Sequence, residues 1–342
     1  MEIEENKNFV TNPNFKLKKT IIEMKCCFGL NDIFDVYNAS NDNNELYLIS
    51  PGKKGENSSI LITRIKDNKL IKELEGFKGQ IHFLKHFYNK NDKINYLVTS
   101  YKGSTVRLWN LLNYNLIYSL NINYSENTRI YSCLSYFPRN KDSYLITSSN
   151  EDKDADYTKI YDFYTSNFIG NLQLTNTKDI FYLLLWNKNN NDYVIGTSNS
   201  LIFINNIETR QIHKILESHE ILSNFNSACL IKKDDVDYLY VSTVRGCIIV
   251  WDLDKFIIKE NISYKSSYFC NIIQWSEKYI LVAEKNNGCI LVIDIQSNKV
   301  ISVMNNIHDF FAMCLKKIKH PIYGECLLSS AIDNKINLSI HP

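Results

Sequence analysis

Residues 96–110, YLVTSYKGSTVRLWN, contain two short apolar segments that are separated by a turn with a glycine. The first segment alternates large apolar residues and then ends in Thr and Ser. Seven segments of this kind occur along the chain, and their first residues lie 41–49 positions apart. They begin at Tyr47, Tyr96, Tyr144, Tyr193, Tyr238, Tyr279 and Cys326. Their length and their β-branched and aromatic content predict short, buried strands.

The second segment, which ends at Trp109, also recurs. Each copy ends in an anchor residue that is often followed by Asp or Asn, and the anchors lie 42–52 positions apart. The anchors are Thr63, Trp109, Tyr161, Asn205, Trp251, Ile293 and Ser339. Two independent patterns therefore give the same count of seven. A period of this length is typical of β-propellers, so the sequence predicts an all-β fold, a single seven-bladed β-propeller with four-stranded blades.

At these positions the chain resembles the WD-repeat family. The residues that carry the likeness are Trp109, Asn110, Tyr161, Trp251, Asp252 and Asp294 at the ends of third strands, and His219 and His308 before first strands. The resemblance covers roughly residues 15–342. It implies a propeller but no particular activity, because this fold carries many functions.

The chain departs from the family pattern in the turn between the second and third strands. Members of the family often carry an Asp there, bonded to the histidine that precedes the blade. The turns around Lys102 and Arg245 contain no Asp, and Asp333 in the last blade is the nearest match. We therefore expect apolar packing, rather than a repeated hydrogen-bond network, to hold most blades together.

The two ends of the chain predict how the ring closes. The sequence stops after the third strand of the last blade, which would leave a sheet edge exposed. Residues 15–23 alternate as a half-exposed strand does, and the resemblance implies that they pair into the last blade. We expect residues 1–14 to form a flexible N-terminal tail and residues 15–342 to form the propeller. The expected blades cover approximately residues 30–75, 76–122, 123–174, 175–217, 218–263, 264–304 and 305–342 together with 15–23.

Composition argues against several classes of ligand. The formal net charge is +2, too small to attract nucleic acid or an anionic membrane. The 9 cysteines include no CxxC pair, so we expect no metal and no cofactor. The acidic N-terminus is unlike a secretory signal, and no run of 18 apolar residues is present. We therefore expect a cytoplasmic or nuclear protein that contacts no membrane.

Motifs for catalysis are also absent from the sequence. There is no glycine-rich phosphate loop and no GxSxG nucleophile turn. His82 and His86 have the spacing of a helical metal pair, but on a strand they would lie about 13 Å apart. We therefore predict that the protein is not an enzyme and has no small-molecule substrate.

A partner surface is predicted on one end of the propeller. Asn-rich loops between first and second strands are typical of solvated, tolerant segments, which favours the opposite face. The candidate contacts there are Lys102, Arg245 and Lys285 in turns, with Tyr268 and Phe269 beside them. We interpret the protein as an interaction scaffold or adaptor of a multi-protein complex that binds other proteins or peptides. The alternatives are a reader of an acidic or phosphorylated peptide at the channel mouth, or three ordinary solvated cations.

Overall fold

The computed structural model describes residues 16–23, 34–39, 45–54, 57–77, 79–101, 105–122, 129–138, 142–150, 158–173, 180–218, 224–264, 268–305, 307–333 and 335–340. The regular secondary structure within these ranges consists of β-strands joined by turns, and the ranges contain no helix. The strands form seven four-stranded antiparallel sheets, which are the blades of a β-propeller. The predicted fold class is therefore confirmed.

The strands are numbered β1 to β28 in chain order. Blade 1 contains β2 (Asp35–Asn38), β3 (Leu46–Lys54), β4 (Asn57–Arg64) and β5 (Lys69–Phe77), and blade 2 contains β6 (Ile81–Asn89), β7 (Ile94–Tyr101), β8 (Thr105–Asn110) and β9 (Asn115–Asn121). Blade 3 contains β10 (Arg129–Tyr136), β11 (Tyr144–Asn150), β12 (Thr158–Asp162) and β13 (Phe168–Asn171), and blade 4 contains β14 (Tyr182–Lys188), β15 (Asn191–Thr197), β16 (Leu201–Asn206) and β17 (Ile212–Glu217). Blade 5 contains β18 (Phe225–Lys233), β19 (Val236–Thr243), β20 (Cys247–Asp252) and β21 (Ile257–Ser263), and blade 6 contains β22 (Phe269–Gln274), β23 (Tyr279–Glu284), β24 (Ile290–Asp294) and β25 (Lys299–Met304). Blade 7 contains β26 (Ala312–His320), β27 (Gly324–Ala331), β28 (Lys335–Ile340) and β1 (Lys16–Glu23).

Within each blade the strands are called a to d from the inside of the ring outward. The a strands of neighbouring blades contact one another around the whole ring, from β2 through β6, β10, β14, β18, β22 and β26 back to β2. Because the strands are antiparallel, the a–b and c–d connections lie at one end of the blades. We call this end the a–b face, and the opposite end, with the b–c turns, the b–c face.

The middle strands of the blades are buried on both sides. All six residues of β20 are buried, and so are the six central residues of β7. This burial explains the continuous apolar runs of the repeat, because a strand covered on both faces has no solvent side for polar residues. Neighbouring blades share the core, as where Ile195 and Trp186 of blade 4 pack with Leu239 of blade 5.

The ring closes as the sequence predicts. Strand β1 pairs antiparallel with β28, from Lys16 opposite Ile340 to Glu23 opposite Lys335. The N-terminal strand thus becomes the outer strand of blade 7 and covers an edge that would otherwise be exposed. Residues 1–15 and 341–342, including the expected tail, lie outside the described ranges.

The c–d turns of blades 1 to 6 share one backbone geometry. In each turn a non-glycine residue near the start of strand d has a φ between 52° and 62°. These residues are Asn68, Tyr114, Ser166, Arg210, Phe256 and Asn298. The shared conformation shows that the blades are equivalent at this end, although their sequences differ.

Candidate interaction surfaces

Where an Asp or Asn follows a repeat anchor, it caps a c–d turn. The carboxylate of Asp252 accepts hydrogen bonds of 3.0 Å from the backbone N–H groups of Asp254 and Lys255. Asp294 accepts one of 2.7 Å from the N–H of Ser297. Equivalent acceptors are Asn110, Asp162 and Asn206. These residues satisfy turn amides that would otherwise have no partner, so the dipeptide that recurs in the repeat has a structural role.

The anchors themselves are buried in the core. Trp109, Tyr161 and Trp251 are each at most 6% exposed, and they contact the neighbouring blade rather than solvent. His308 is also buried, and its predicted partner is correct: Nδ1 lies 2.9 Å from a carboxylate oxygen of Asp333. His219 lies outside the described residues.

His308 connects strand b and the b–c turn of blade 7 to the chain before the blade. Its Nε2 lies 2.9 Å from the hydroxyl of Ser329 in strand b, while Nδ1 donates to Asp333. Burial opposes ionisation of Asp333, but the hydrogen bond from His308 and two backbone N–H groups hold the pKa of that carboxyl below its usual value.

The predicted cations lie on the b–c face, as far as the structure describes them. Arg245 is exposed in the turn between β19 and β20. Lys285 follows β23 in the next blade, and its Nζ lies 5.4 Å from the ring centre of Tyr268 and 5.6 Å from that of Phe311. Both distances are within the range of a cation–π contact. Lys102 lies outside the described residues.

The two aromatic candidates behave differently. Tyr268 is 48% exposed, whereas Phe269 is fully buried among apolar residues of blades 5 and 6. The prediction that Phe269 contacts a partner is therefore wrong. It begins strand β22, and its side chain points into the core because successive side chains of a strand point to opposite sides.

Exposed large apolar side chains are concentrated on blades 2 and 3, at the end that the sequence argument set aside. Of 13 such side chains in the described ranges, 6 belong to these two blades. They are Tyr88, Leu112, Leu116, Ile117, Tyr164 and Phe168, exposed by 41–61%. We call this set the blade 2–3 surface. Its residues end strand a, form the c–d turns or begin strand d, so they lie toward the a–b face.

A network around Asp92 joins the two blades at this surface. The Asp92 carboxylate accepts hydrogen bonds of 2.7 Å from the hydroxyl of Tyr96 and 3.0 Å from that of Tyr164. Burial and this carboxylate raise the pKa of Tyr164 to about 12, so its hydroxyl remains a donor at neutral pH. In addition, the hydroxyl of Tyr118 donates to the carbonyl of Phe163 at 3.0 Å. These hydrogen bonds hold the residues beneath the blade 2–3 surface in one arrangement.

The outer strands of these blades lack the charges that usually protect a sheet edge. Strands β9 (NLIYSLN) and β13 (FIGN) contain no charged residue, whereas the outer strands of the five other blades each contain at least one. Lysine and glutamate on an edge strand discourage pairing with other chains. Their absence at β9 and β13 coincides with the largest group of exposed apolar side chains.

A groove continues this surface toward blade 1. It has a volume of about 300 Å³ and lies between strands a and b of blade 1 and the a–b and c–d connections of blade 2. Its lining residues are Tyr37, Ala39, Tyr47, Asp92, Lys93, Ile94, Asn95, Leu111, Leu112 and Tyr114. The rings of Tyr37 and Tyr47 stack with centroids 5.3 Å apart. We call it the tyrosine groove.

Within the described residues, no group of three or more His, Cys, Asp or Glu side chains is arranged to hold a metal ion. Those residues also include no helix that could cross a membrane. The chain matched no protein-family model, and no similar curated protein was found. The fold is thus a seven-bladed β-propeller, and the likeness to WD repeats remains a resemblance.

Proposed function

We propose that this protein is a non-catalytic interaction scaffold or adaptor that binds a partner protein through the blade 2–3 surface. The β-propeller fold commonly mediates protein interactions. The observation that carries the proposal is the concentration of exposed apolar side chains on two adjacent blades. Exposed apolar side chains that gather on one part of a surface are a feature of interaction sites.

The composition of the surface supports a protein partner. Tyr164 and Phe168 supply large rings at low conformational cost, which is typical of residues that dominate binding energy. The base below them is held by the Asp92 network, so little order has to be gained on binding. The outer strands β9 and β13 nearby contain no charged residue, so an apolar partner surface can pack there without desolvating a charge on them.

The experiment that tests this function is affinity purification of the native protein from its own cells, followed by quantitative mass spectrometry. Phe168 and Ile257 are a matched pair, because each begins an outer strand and they are 56% and 51% exposed. We expect Phe168→Glu to lose a stoichiometric partner and Ile257→Glu to retain it. A chain that purifies alone, or two variants that behave alike, would overturn the proposal.

A second candidate function is recognition of an acidic or phosphorylated peptide on the b–c face. It is favoured by Lys285, whose ammonium lies near two aromatic rings, and by the exposed Arg245 on the same face of the preceding blade. Cations presented in this way suit carboxylate or phosphate groups. The test is a phosphopeptide array probed with wild type and with the Arg245→Glu, Lys285→Glu double variant. Equal spot patterns would rule it out.

A further inference from the structure

The equivalent place between blades 4 and 5 shows what the position of the tyrosine groove can hold. Both places are bounded by an aromatic residue of strand a that pairs with a tyrosine near the start of strand b: Tyr37 with Tyr47, and Trp186 with Tyr193. In both, the c–d turn is held by the same hydrogen bond of 2.9 Å. It joins the N–H of Leu111 to the carbonyl of Asn95, and the N–H of Leu253 to that of Asp237.

Between blades 4 and 5 the protein's own lysine occupies this place. Lys188, two residues after Trp186, places its Nζ 2.6 Å from a carboxylate oxygen of Asp254 and 3.2 Å from one of Asp237. The indole N–H of Trp186 donates to Asp237 as well, at 3.1 Å. The ammonium is therefore recognised by a pair of carboxylates beside an aromatic ring.

Between blades 1 and 2 all three of these polar residues are replaced. Ala39 stands where Lys188 stands, Asn95 replaces Asp237, and Leu112 replaces Asp254. The short side chain of Ala39 leaves the volume of about 300 Å³ open. Because neither Asp237 nor Asp254 has an acidic counterpart here, an ammonium group in this place would lack the pair of carboxylates that holds Lys188.

Polar atoms of the tyrosine groove are already used within the chain. The amide of Asn95 bonds to Nε2 of His86 at 2.7 Å and to the carbonyl of Asn38 at 3.1 Å. The hydroxyl of Tyr47 donates to Glu45 at 2.9 Å, and those of Tyr37 and Tyr114 are hydrogen-bonded to each other. Apart from Asp92 and Lys93, which also line it, the groove therefore offers ring and aliphatic surface to an occupant.

The charges that line the groove also favour an uncharged occupant. Asp92 and Lys93 both line it and carry opposite charges, so they give no net attraction to a cation or an anion. An apolar side chain avoids the cost of desolvating a charge on entry, and it removes apolar area from water, which is favourable. At the mouth, Leu112 is 61% exposed and belongs also to the blade 2–3 surface.

We propose that the tyrosine groove binds an aromatic or large aliphatic side chain of a partner protein. The partner supplies in trans the occupant that Lys188 supplies in cis between blades 4 and 5. This inference rests on the proposed scaffold function and names the anchor of its interface. A single apolar anchor in a preformed pocket, surrounded by flatter contacts, is a common arrangement at protein interfaces.

The test uses N-acetyl amides of phenylalanine, leucine and lysine as probes and the ring signals of labelled tyrosines as the readout. We expect the phenylalanine and leucine amides to shift the signals of Tyr37, Tyr47 and Tyr114 with a Kd of about 1 mM, the affinity that ligands of this size reach. The lysine amide should bind roughly tenfold more weakly or not at all. The absence of a saturable shift, or equal binding of all three, would overturn the proposal.

Two variants test whether the residues at positions 95 and 112 determine which probe the groove prefers. Leu112→Asp with Asn95→Asp rebuilds the acid pair of the other groove and should reverse the preference toward the lysine amide. Leu112→Asp alone, at an exposed position that leaves folding intact, should already weaken binding of the phenylalanine amide. Wild-type selectivity in both variants would contradict the proposal. Probe binding in a chain that purifies without partners would instead refute the scaffold function and the partner protein, and would leave only the preference of the groove for apolar groups.

Discussion

The indole nitrogen of Trp109 donates a hydrogen bond of 3.2 Å to the hydroxyl of Thr99. The two residues lie on neighbouring strands of blade 2, where Trp109 pairs with Leu97. In blade 5 the register is the same, with Trp251 opposite Leu239, but Val241 stands in the place of Thr99. The Nε1 of Trp251 is buried without a hydrogen-bond partner in the described part of the chain.

This difference predicts opposite effects of two exchanges. Val241→Thr should raise the free energy of unfolding by about 1 kcal/mol, because it gives the indole N–H of Trp251 an acceptor. Thr99→Val should lower it by about 1–3 kcal/mol, because it leaves the N–H of Trp109 buried and unpaired. Urea titration of the two variants against wild type measures both. If both exchanges shifted stability in the same direction, indole pairing would not be the cause.

A second prediction concerns the contact between blades 6 and 7. Gly288 has a φ of 62°, and a Cβ placed there would clash with the carbonyl oxygen of Phe310 and lie 2.9 Å from that of His308. Gly288→Ala therefore meets both a strained backbone and a clash with main-chain atoms. We expect it to reduce the free energy of unfolding by about 2 kcal/mol or more.

Gly324 provides the control for this prediction. Its φ is 73°, but nothing lies within 4 Å of the position that a Cβ would occupy. Gly324→Ala should cost only about 1 kcal/mol, the backbone contribution alone. Equal losses in the two alanine variants would show that the approach of residues 308–310 to Gly288 is not tight.

The architecture could be predicted from the sequence because its signal is repeated. Any one copy of the strand pattern is ambiguous, but seven copies with two agreeing periods are not, and the strand over residues 16–23 was required to close the ring. Site residues have no such repetition. Tyr268 and Phe269 look alike in a sequence, and only the phase of strand β22 decides that Phe269 is buried.

The position of the exposed apolar surface was missed for a related reason. Leu116 and Phe168 have the composition of core residues, and nothing local in the sequence shows that they are on outer strands with solvent beside them. One sequence signal was available. Once the blades are counted, the outer strands can be compared, and β9 and β13 differ from the other five in having no charge.

Burial of His86 predicts a loss of stability in mild acid. Burial lowers the pKa of His86, and Lys316 acts in the same direction, although Asp35 and Asn95 partly oppose the shift. The unfolded chain, with a histidine pKa of 6.5, therefore takes up a proton before the folded chain does. The stability that depends on neutral His86 is complete above pH 6.5 and is lost as the pH falls below it.

Thermal unfolding between pH 7.5 and pH 5 checks this dependence. We expect His86→Gln to be less stable than wild type at pH 7.5, because the bond of 2.7 Å to Asn95 is altered. The difference should shrink toward pH 5, since the variant has no proton to take up at this position. A constant difference over the whole range would show that His86 titrates alike in the folded and unfolded states.

The final prediction compares two lysines that differ in their surroundings. Lys188 makes contacts of 2.6 and 3.2 Å with two carboxylates, and its side chain is 27% exposed. The hydrogen bond to Asp254 raises its pKa, and Asp237 contributes further. Lys232 also has a carboxylate at 3.2 Å, from Asp235, but the two side chains are 66% and 97% exposed.

We expect Lys188→Gln to lower the free energy of unfolding by about 0.5–1 kcal/mol at low salt and Lys232→Gln to change it by nothing measurable, because exposed pairs are screened by water. Repeating the unfolding titration in 1 M salt should reduce the cost of the Lys188 exchange. Equal costs for both lysines would mean that the groove between blades 4 and 5 does not hold its ammonium, and that the tyrosine groove has no filled counterpart.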